Sequence, residues 1–456
     1  MSEQSEKLYG GITHIRETLV EDAERGYIRW REKRQSLWKR RGLRAAAAVL
    51  ALVFLMGTLL HPGSTSAYAI AEAEYPEEWQ RQEQGYADGL ESYFAVTMRQ
   101  FLSGDTGENT VCSPLSIYMA LAMLAEVTDG DSRRQILDLL GSDSIEALRQ
   151  QASAVWNAQY RKEGSVTRTL GTSLWLNENV SFVQSTMDTL ADTYFASSYR
   201  GEMGSAGFDR ALRSWLNEQT GGLLEEQSKA ITLDAETVLA LATAVYYKAP
   251  WTTQFSTKRT AQGVFHGAAG DVPCDFMHQS GAELYYWGEC FAAIRRTLEY
   301  GSMWFILPDE GYRPEDLLAD DMVMEFLLME GTKPEWKDQK HLIVNQAIPR
   351  FDVVSQIDLR EGLQELGITD VFDPAVSDYT PMTADTDMIY LGKAQHDARV
   401  VIDEEGVEAA AYTVMGNLGA GLPPEEEVDF VADRPFLFVI TGADSLPLFA
   451  GVVNHP

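Results

Sequence analysis

The chain has 456 residues and is poor in the groups from which most sites are built. It has three cysteines, Cys112, Cys274 and Cys290, an odd number with no CxxC pair and no metal-like spacing. That argues against a disulfide framework and against a zinc site. The three read as buried thiols, with a Cys274–Cys290 disulfide left open for a domain lying outside the cytoplasm. Seven histidines stand at 14, 61, 266, 278, 341, 396 and 455, and none pairs with another at helical spacing. The GxSxG, HExxH, GxxxxGK[ST] and GxGxxG patterns are all absent. A hydrolase or an oxidoreductase has no starting point in these residues, so we expect neither catalysis nor a metal or other cofactor. Basic charge is also scarce, with 37 Lys and Arg against 68 Asp and Glu, a net charge of −31. So acidic a surface repels nucleic acid and anionic lipid, and neither is expected as a partner through charge.

The charge is unevenly placed. Residues 1–44 carry a net charge of +4 and the remainder −35. The basic cluster Arg29, Arg31, Lys33, Arg34, Lys39, Arg40, Arg41 and Arg44 directly precedes an uncharged run of sixteen residues, Ala45 to Leu60. As a helix that run is about 24 Å long, a little short of a hydrocarbon core of about 30 Å, and flanking residues can cover the difference. The basic flank sets the N-terminus in the cytoplasm and the rest of the chain outside. Residues 45–60 read as an uncleaved single-pass membrane anchor. The alternative is a signal core with cleavage at the small-x-small site Ala67-Tyr68-Ala69. Residues 61–87 are polar and acidic and read as a tether, and residues 88–456 as one large domain.

Within that domain the apolar spacing predicts a helix over 90–101 and another from Ser113 to Glu126, with Ser113 as N-cap and Pro114 in the first turn. Further helices are expected over 132–140, stopped by Gly141, and over 183–194, 210–219, 312–330 and 359–366. Strands are expected over 169–176 and 237–248, in short pieces from 251 to 306, over 341–354, and on both sides of a long loop near the C-terminus. Helices dominate early and strands late, with no internal repeat, which is an α+β pattern. The only histidine in a strongly apolar context is His396, near Ile389-Tyr390-Leu391, and it reads as a hydrogen-bonded core histidine.

The C-terminal loop runs between the strand-like Ala398–Ile402 and Pro435–Ile440. It opens with Glu404-Glu405-Gly406-Val407-Glu408-Ala409-Ala410-Ala411-Tyr412-Thr413 and continues through a Gly-rich stretch to Pro423-Pro424. Taken with five other segments, it resembles the serpin family of protease inhibitors. Ser113-Pro114-Leu115-Ser116-Ile117 is similar to that family's SPLSI start. Thr243-Ala244-Val245-Tyr246-Tyr247-Lys248-Ala249-Pro250-Trp251, with Phe255, is similar to its N-A-x-Y-F-K-G-x-W…F run. Leu307-Pro308-Asp309-Glu310-Gly311 matches its LPDEG turn, and Ile348-Pro349-Arg350-Phe351 with Leu366-Gly367-Ile368 its P-[KR]-F…LGI segment. The loop opening matches its E-E-G-[TSV]-E-A-A-A hinge, and Pro435–Phe438 with the final Gly451–Pro456 its ending. The segments occur in family order over about 88–456. Thr243 departs from the family's Asn, and Asn454-His455-Pro456 from its Asn-Pro.

The resemblance implies helices packed around three β-sheets with an exposed C-terminal reactive loop. It implies a monomeric suicide inhibitor of serine proteases, with cysteine proteases as a further class, whose partner is a target protease held as a covalent acyl-enzyme. The alternative is a noninhibitory binding or structural surface module of the same shape. It also implies a polar gate of Ser113, Ser116, Thr243 and His396 beneath the main sheet. Trp251 and an Arg296–Glu404 ion pair would sit where the loop enters that sheet. Counting as the family does from Glu404 puts the cut bond at Ala420–Gly421, with Leu418 as the alternative reactive residue. An inserted strand alternates its faces. With Val407 inward, Ala409, Ala411, Thr413 and Met415 follow it, while Glu408, Ala410, Tyr412 and Val414 face out. The small residues thus fall on the buried face, and the charge and the bulk on the other.

Overall fold

The computed structural model describes residues 67–104, 107–329, 336–383, 385, 389–407, 425–442 and 444–456. In chain order they form β1 (Tyr68–Ala71), α1 (Glu91–Leu102), β2 (Thr110–Cys112), α2 (Pro114–Val127), α3 (Gly130–Leu140), α4 (Ile145–Gln159), β3 (Arg161–Glu163), β4 (Val166–Asn177), α5 (Gln184–Tyr194), β5 (Ala196–Gly201), α6 (Ala206–Gln219), α7 (Glu225–Ser228) and β6 (Leu239–Pro250). There follow β7 (Ala261–Gly267), β8 (Gly270–Trp287), β9 (Phe291–Leu298), β10 (Gly301–Pro308), α8 (Pro314–Ala319), α9 (Asp321–Leu328), β11 (Gln339–Pro349), β12 (Phe351–Asp358), α10 (Leu359–Glu365), β13 (Gln395–Ile402), β14 (Gly406–Val407), β15 (Glu427–Val431), β16 (Phe436–Gly442) and β17 (Pro447–Val453).

Local chemistry sets most boundaries. Ser113 caps α2 by accepting from the Ser116 amide, and Pro114 fills the first turn, where no amide hydrogen is needed. Gly141 ends α3 at φ 66°, a left-handed position that suits glycine. The helix expected over 312–330 is two, because the Asp320 carboxylate accepts from the Met322 and Val323 amides and starts α9 afresh. The strand expected over 341–354 is also two: β11 ends at Pro349, and β12 begins at Phe351 in the other sheet.

The main sheet runs β1-β5-β4-β6-β14-β13-β12, with β3 paired to β4 at one end. Its two faces are covered differently. One carries the large core with α2 behind it. The other carries a smaller cluster of Trp175, Phe208, Leu212, Trp215, Leu216, Ile231, Leu233, Ala240 and Ala244, centred on α6. The second sheet runs β15-β11-β8-β9-β10-β16-β17-β2, with β7 paired to β8. Three sheets were expected, but among the described residues hydrogen bonding joins the strands into two. The 18-residue β8 pairs with β7 and β11 and then, over its last residues, with β9.

The tether expected over 61–87 is corrected for its described part. Tyr68 pairs with Arg200, Ala69 with Tyr199 and Ala71 with Ser198, so β1 extends the main sheet along β5. Tyr75 packs its ring 5.3 Å from that of Trp156, and Trp79 donates its indole N–H to the Ala158 carbonyl at 3.0 Å. These aromatics give a segment of otherwise linker-like composition enough apolar surface to dock. The compact unit spans Ser66–Pro456. No helix among the described residues is long and apolar enough to cross a membrane, and the span expected over 45–60 lies outside them. Cys112, Cys274 and Cys290 are free thiols, so the Cys274–Cys290 disulfide is not formed.

Helix α4 was not among the expected elements. It fixes the back of β4 through Trp156, which is fully buried between the rings of Tyr160 at 4.7 Å and Phe195 at 3.8 Å. Its indole N–H reaches the Leu170 carbonyl at 3.0 Å. Trp156→Ala is expected to lower stability by about 3–5 kcal/mol, read as a shift in the urea unfolding midpoint. An unchanged midpoint would contradict this packing.

Candidate functional site

The site is a break in the hydrogen-bond ladder of the main sheet. Strands β6 and β13 lie on either side of β14 in the sheet order and form no ladder with each other. Among the described residues they are joined only through β14, where Gly406 pairs with Pro250 and Val407 with both Ala249 and Ile402. Below that point the facing edges, Leu239–Lys248 of β6 and Gln395–Val401 of β13, have no strand between them among the described residues. Backbone donors and acceptors in such edges are a template for one more strand. The loop that could supply it leaves from Val407.

A tight turn starts the loop. The Asp403 carboxylate accepts from the amides of Glu405 at 2.8 Å and Gly406 at 3.2 Å, and the Asp403 amide donates to the Gly406 carbonyl at 3.1 Å. The turn reverses the chain from β13 into β14 and leaves Val407 2% exposed. Val407 belongs to the large core cluster. Glu408–Thr413, Leu418 and the bond Ala420–Gly421 lie outside the described residues.

Trp251 and Phe255 hold the turn from outside. The Trp251 indole donates to the Asp403 carbonyl at 2.8 Å, its backbone amide to the Glu405 carbonyl at 2.9 Å, and the Phe255 amide to the Glu404 carbonyl at 3.0 Å. The expected Arg296–Glu404 ion pair is not made. Arg350 takes that place, with Nη2 and Nε at 2.6 and 2.9 Å from the two Glu404 oxygens, and Thr260 donates its hydroxyl to the same carboxylate. The sheet register explains the exchange. Phe351 pairs with Ile402, which sets Arg350 beside Asp403 and Glu404. Arg296 is drawn to β8 and β11 instead. Its guanidinium donates to the Thr253 carbonyl and to Gln346, stands 3.8 Å from Glu283, and lies over the rings of Phe255 and Trp251 at 4.2 and 5.5 Å. Burial alone pushes the Glu404 carboxyl up, but the hydrogen bonds from Arg350 and Thr260 outweigh it and hold the group below its ordinary range. The latch is therefore charged at neutral pH. Its contribution is lost only as pH falls below the usual carboxylate range.

The expected gate residues do meet. Ser116 donates its hydroxyl to the Thr243 hydroxyl on β6 at 2.9 Å, and the Ser113 amide donates to His396 Nε2 on β13 at 2.9 Å. The N-terminus of α2 thus ties the two unpaired edges together from beneath, with Ser113, Ser116 and His396 buried. Because Nε2 accepts, the imidazole proton is on Nδ1, which is buried with no hydrogen-bond partner among the described residues. Protonating Nε2 would set two donors against each other. Burial pushes the His396 pKa down to about 4.

Arg350, Thr260 and Asp403 were not foreseen as site residues. Arg350 lies within the Ile348–Phe351 segment, where nothing local marks its partner, whereas Thr260 carries no signal in the sequence.

Such an arrangement defines a class: domains whose main sheet has two facing, unladdered strand edges with the first residues of a further strand seated between them at one end. A profile of the family described as Serpin (serine protease inhibitor) matches residues 90–456, and the chain belongs to the serpin family. It is similar to Serpin-ZX of Arabidopsis thaliana, 29% identical over 366 residues, covering 76% of this chain and 92% of that protein. To Alpha-1-antiproteinase of Callosciurus caniceps it is 28% identical over 360 residues, covering 76% and 83%. Among solved structures, the native state of the thermophilic serpin tengpin shares the fold with a TM-score of 0.74 at 24% identity, covering 86% of this chain and 100% of that one.

The gate gives a pH prediction. An unfolded chain protonates His396 near pH 6.5 and the native state only near pH 4, so its stabilising contribution is complete above about pH 6.5 and lost as pH falls through about 4. The loss between pH 7 and 4 should be about 3 kcal/mol. In His396→Gln, whose amide oxygen can still accept from Ser113, the pH dependence of urea unfolding should flatten by that amount. An unaltered slope would contradict the assignment.

Proposed function

We propose that this serpin is a suicide inhibitor of serine proteases, with cysteine proteases within reach of the same chemistry. The observation that carries the reading is the missing ladder between β6 and β13 among the described residues, with Val407 already seated between them at one end. The protease nucleophile attacks the Ala420 carbonyl, the bond to Gly421 breaks, and the new amine leaves with a proton. The protease remains esterified to the loop. The freed strand then adds to the open edges of β6 and β13 and carries the protease with it.

The energy is of the right size. About a dozen residues gaining hydrogen bonds worth about 1 kcal/mol each supply on the order of 10 kcal/mol before packing. That rivals the roughly 5–15 kcal/mol that hold a protease folded. A core-facing proline or charge would block insertion, through a lost ladder donor or an unpaired buried charge. Neither occurs at Val407, Ala409, Ala411, Thr413 or Met415. No Arg or Lys lies between Val407 and Val428, and the residues at the Ala420–Gly421 bond are small. The target is therefore elastase-like or subtilisin-like, and a cut after Leu418 would fit a chymotrypsin-like enzyme instead.

The protein acts outside the cytoplasm, exported by the basic segment and the apolar run that follows it. Cleavage after Ala69 would remove Tyr68 and Ala69 from β1 and from their pairing with β5. That favours retention by the 45–60 anchor over release.

Incubation of residues 66–456 with elastase-type and subtilisin-type proteases should give an SDS-stable complex. Loop cleavage without a complex would instead indicate a noninhibitory module. Val407→Arg puts a charge at a position that is 2% exposed. It is expected to convert inhibitor into substrate, and an undiminished yield of complex would refute the inserted register.

A further inference from the structure

The described chain enters the domain at one end of the main sheet. Tyr68 of β1 pairs with Arg200 of β5, Arg200 with Leu176 of β4, and Leu176 with Leu239, the first residue of β6. These four residues form one row across the sheet. The loop leaves from the other end, where Val407 pairs with Ala249. Ala249 stands ten residues beyond Leu239 along β6, about 33 Å at roughly 3.3 Å per residue. Three large apolar side chains are exposed around the entry row. Tyr68 stands in it. Val183 precedes α5, whose first residue, Gln184, donates its side-chain amide to the Ile70 carbonyl of β1 at 3.0 Å. Tyr390 lines a cleft with residues 232–238, which lead into β6. That cleft carries both signs of charge, Asp234 and Glu236 with Arg360 and Lys393, so this end does not share the strong negative excess of the whole chain.

Seven residues, 61–67, separate the apolar run from Tyr68, and seven residues reach at most about 25 Å. That is less than the roughly 33 Å between the two ends of the sheet, so an anchored chain cannot set its loop end on the bilayer. We propose that the entry end of the main sheet is the domain's lipid-facing surface, with Tyr68, Val183 and Tyr390 against the headgroups of a bilayer and the seat of the loop held at the far end. The inference rests on the reading of residues 45–60 as an uncleaved anchor. Tyrosine suits such a contact, because an apolar ring with a polar tip is favoured where a membrane meets water. The contact does not draw on charge, so neutral lipid suffices. Numbers rise along β14 as they fall along β6, so a strand continuing from Val407 runs toward Leu239. A protease captured by the proposed insertion would therefore be drawn from the outer end toward the bilayer.

The test uses the full chain reconstituted into phosphatidylcholine vesicles that carry a fluorescent acceptor on the lipid headgroup. Cys112 and Cys290 are buried, so a Cys274→Ser background leaves the surface free for a single donor dye. The dye is attached through Glu236→Cys, beside the entry row, or through Lys258→Cys, beside the seat of the loop, both exposed positions. The donor at 236 should be quenched several-fold more than the donor at 258. Adding Val183→Asp and Tyr390→Asp should narrow that difference, because the domain can then tilt, and should leave the thermal midpoint unchanged, because both side chains are exposed. A chain that does not float with the vesicles would overturn the anchor and the proposal together. Equal quenching at the two positions in a chain that floats, or an unchanged difference in the doubly substituted chain, would overturn the lipid-facing surface alone.

Discussion

Two strand edges in this molecule face each other without pairing. Between β6 and β13 the main sheet has no ladder below Val407 among the described residues, and most of what is distinctive in the sequence serves to hold that condition. An open edge inside a large sheet forgoes hydrogen bonds worth about 1 kcal/mol per residue and invites a strand from elsewhere. It persists because the two edges are held at both ends. At one end the Asp403 turn seats Gly406 and Val407. At the other the N-terminus of α2 reaches both edges through Ser113 and Ser116.

The two closures differ in physical character. The gate is built of neutral groups: two hydroxyls, one amide and an imidazole that burial keeps unprotonated. Its geometry is short and directional, so a change of one side chain alters how easily the edges part. Thr243 stands where the family usually has Asn, and a hydroxyl makes fewer hydrogen bonds than a carboxamide. The latch is a charge pair, Glu404 with Arg350, supported by Thr260. The carboxylate is buried and the guanidinium half-exposed. Losing the arginine would leave a buried charge uncompensated, whereas losing the glutamate would free a cation that water can reach. The two halves of the latch are therefore unequal in what they protect.

Much of the fold could be read from the chain. The N-cap at Ser113 and the glycine stop at Gly141 are local signals, and local structure follows them. Helix α4 was equally readable, since Ile145, Leu148, Ala152, Val155 and Trp156 keep a helical spacing behind an N-cap at Ser144. β1 is not readable in the same way, because its four residues carry no pattern of their own and gain order from the edge of β5. The gate residues were identified through resemblance and do meet. Arg350 was harder, because its pairing with Glu404 is set by the register of β12 on β13, a long-range fact without a local trace. The same holds for Arg296, whose partners on β8 and β11 lie close only after the second sheet has formed.

The central claim is that the unpaired edges of β6 and β13 are a store of unmade hydrogen bonds that the loop fills once it is cut. The most direct test cleaves the loop of residues 66–456 with a protease that is not inhibited. The thermal midpoints of the intact and nicked proteins are then compared, with the cut bond located by mass spectrometry. Insertion predicts a midpoint raised by at least roughly 10 °C, since on the order of 10 kcal/mol of new pairing shifts a domain of this size by about that much before packing is added. A nicked protein melting at or below the intact one would contradict the account.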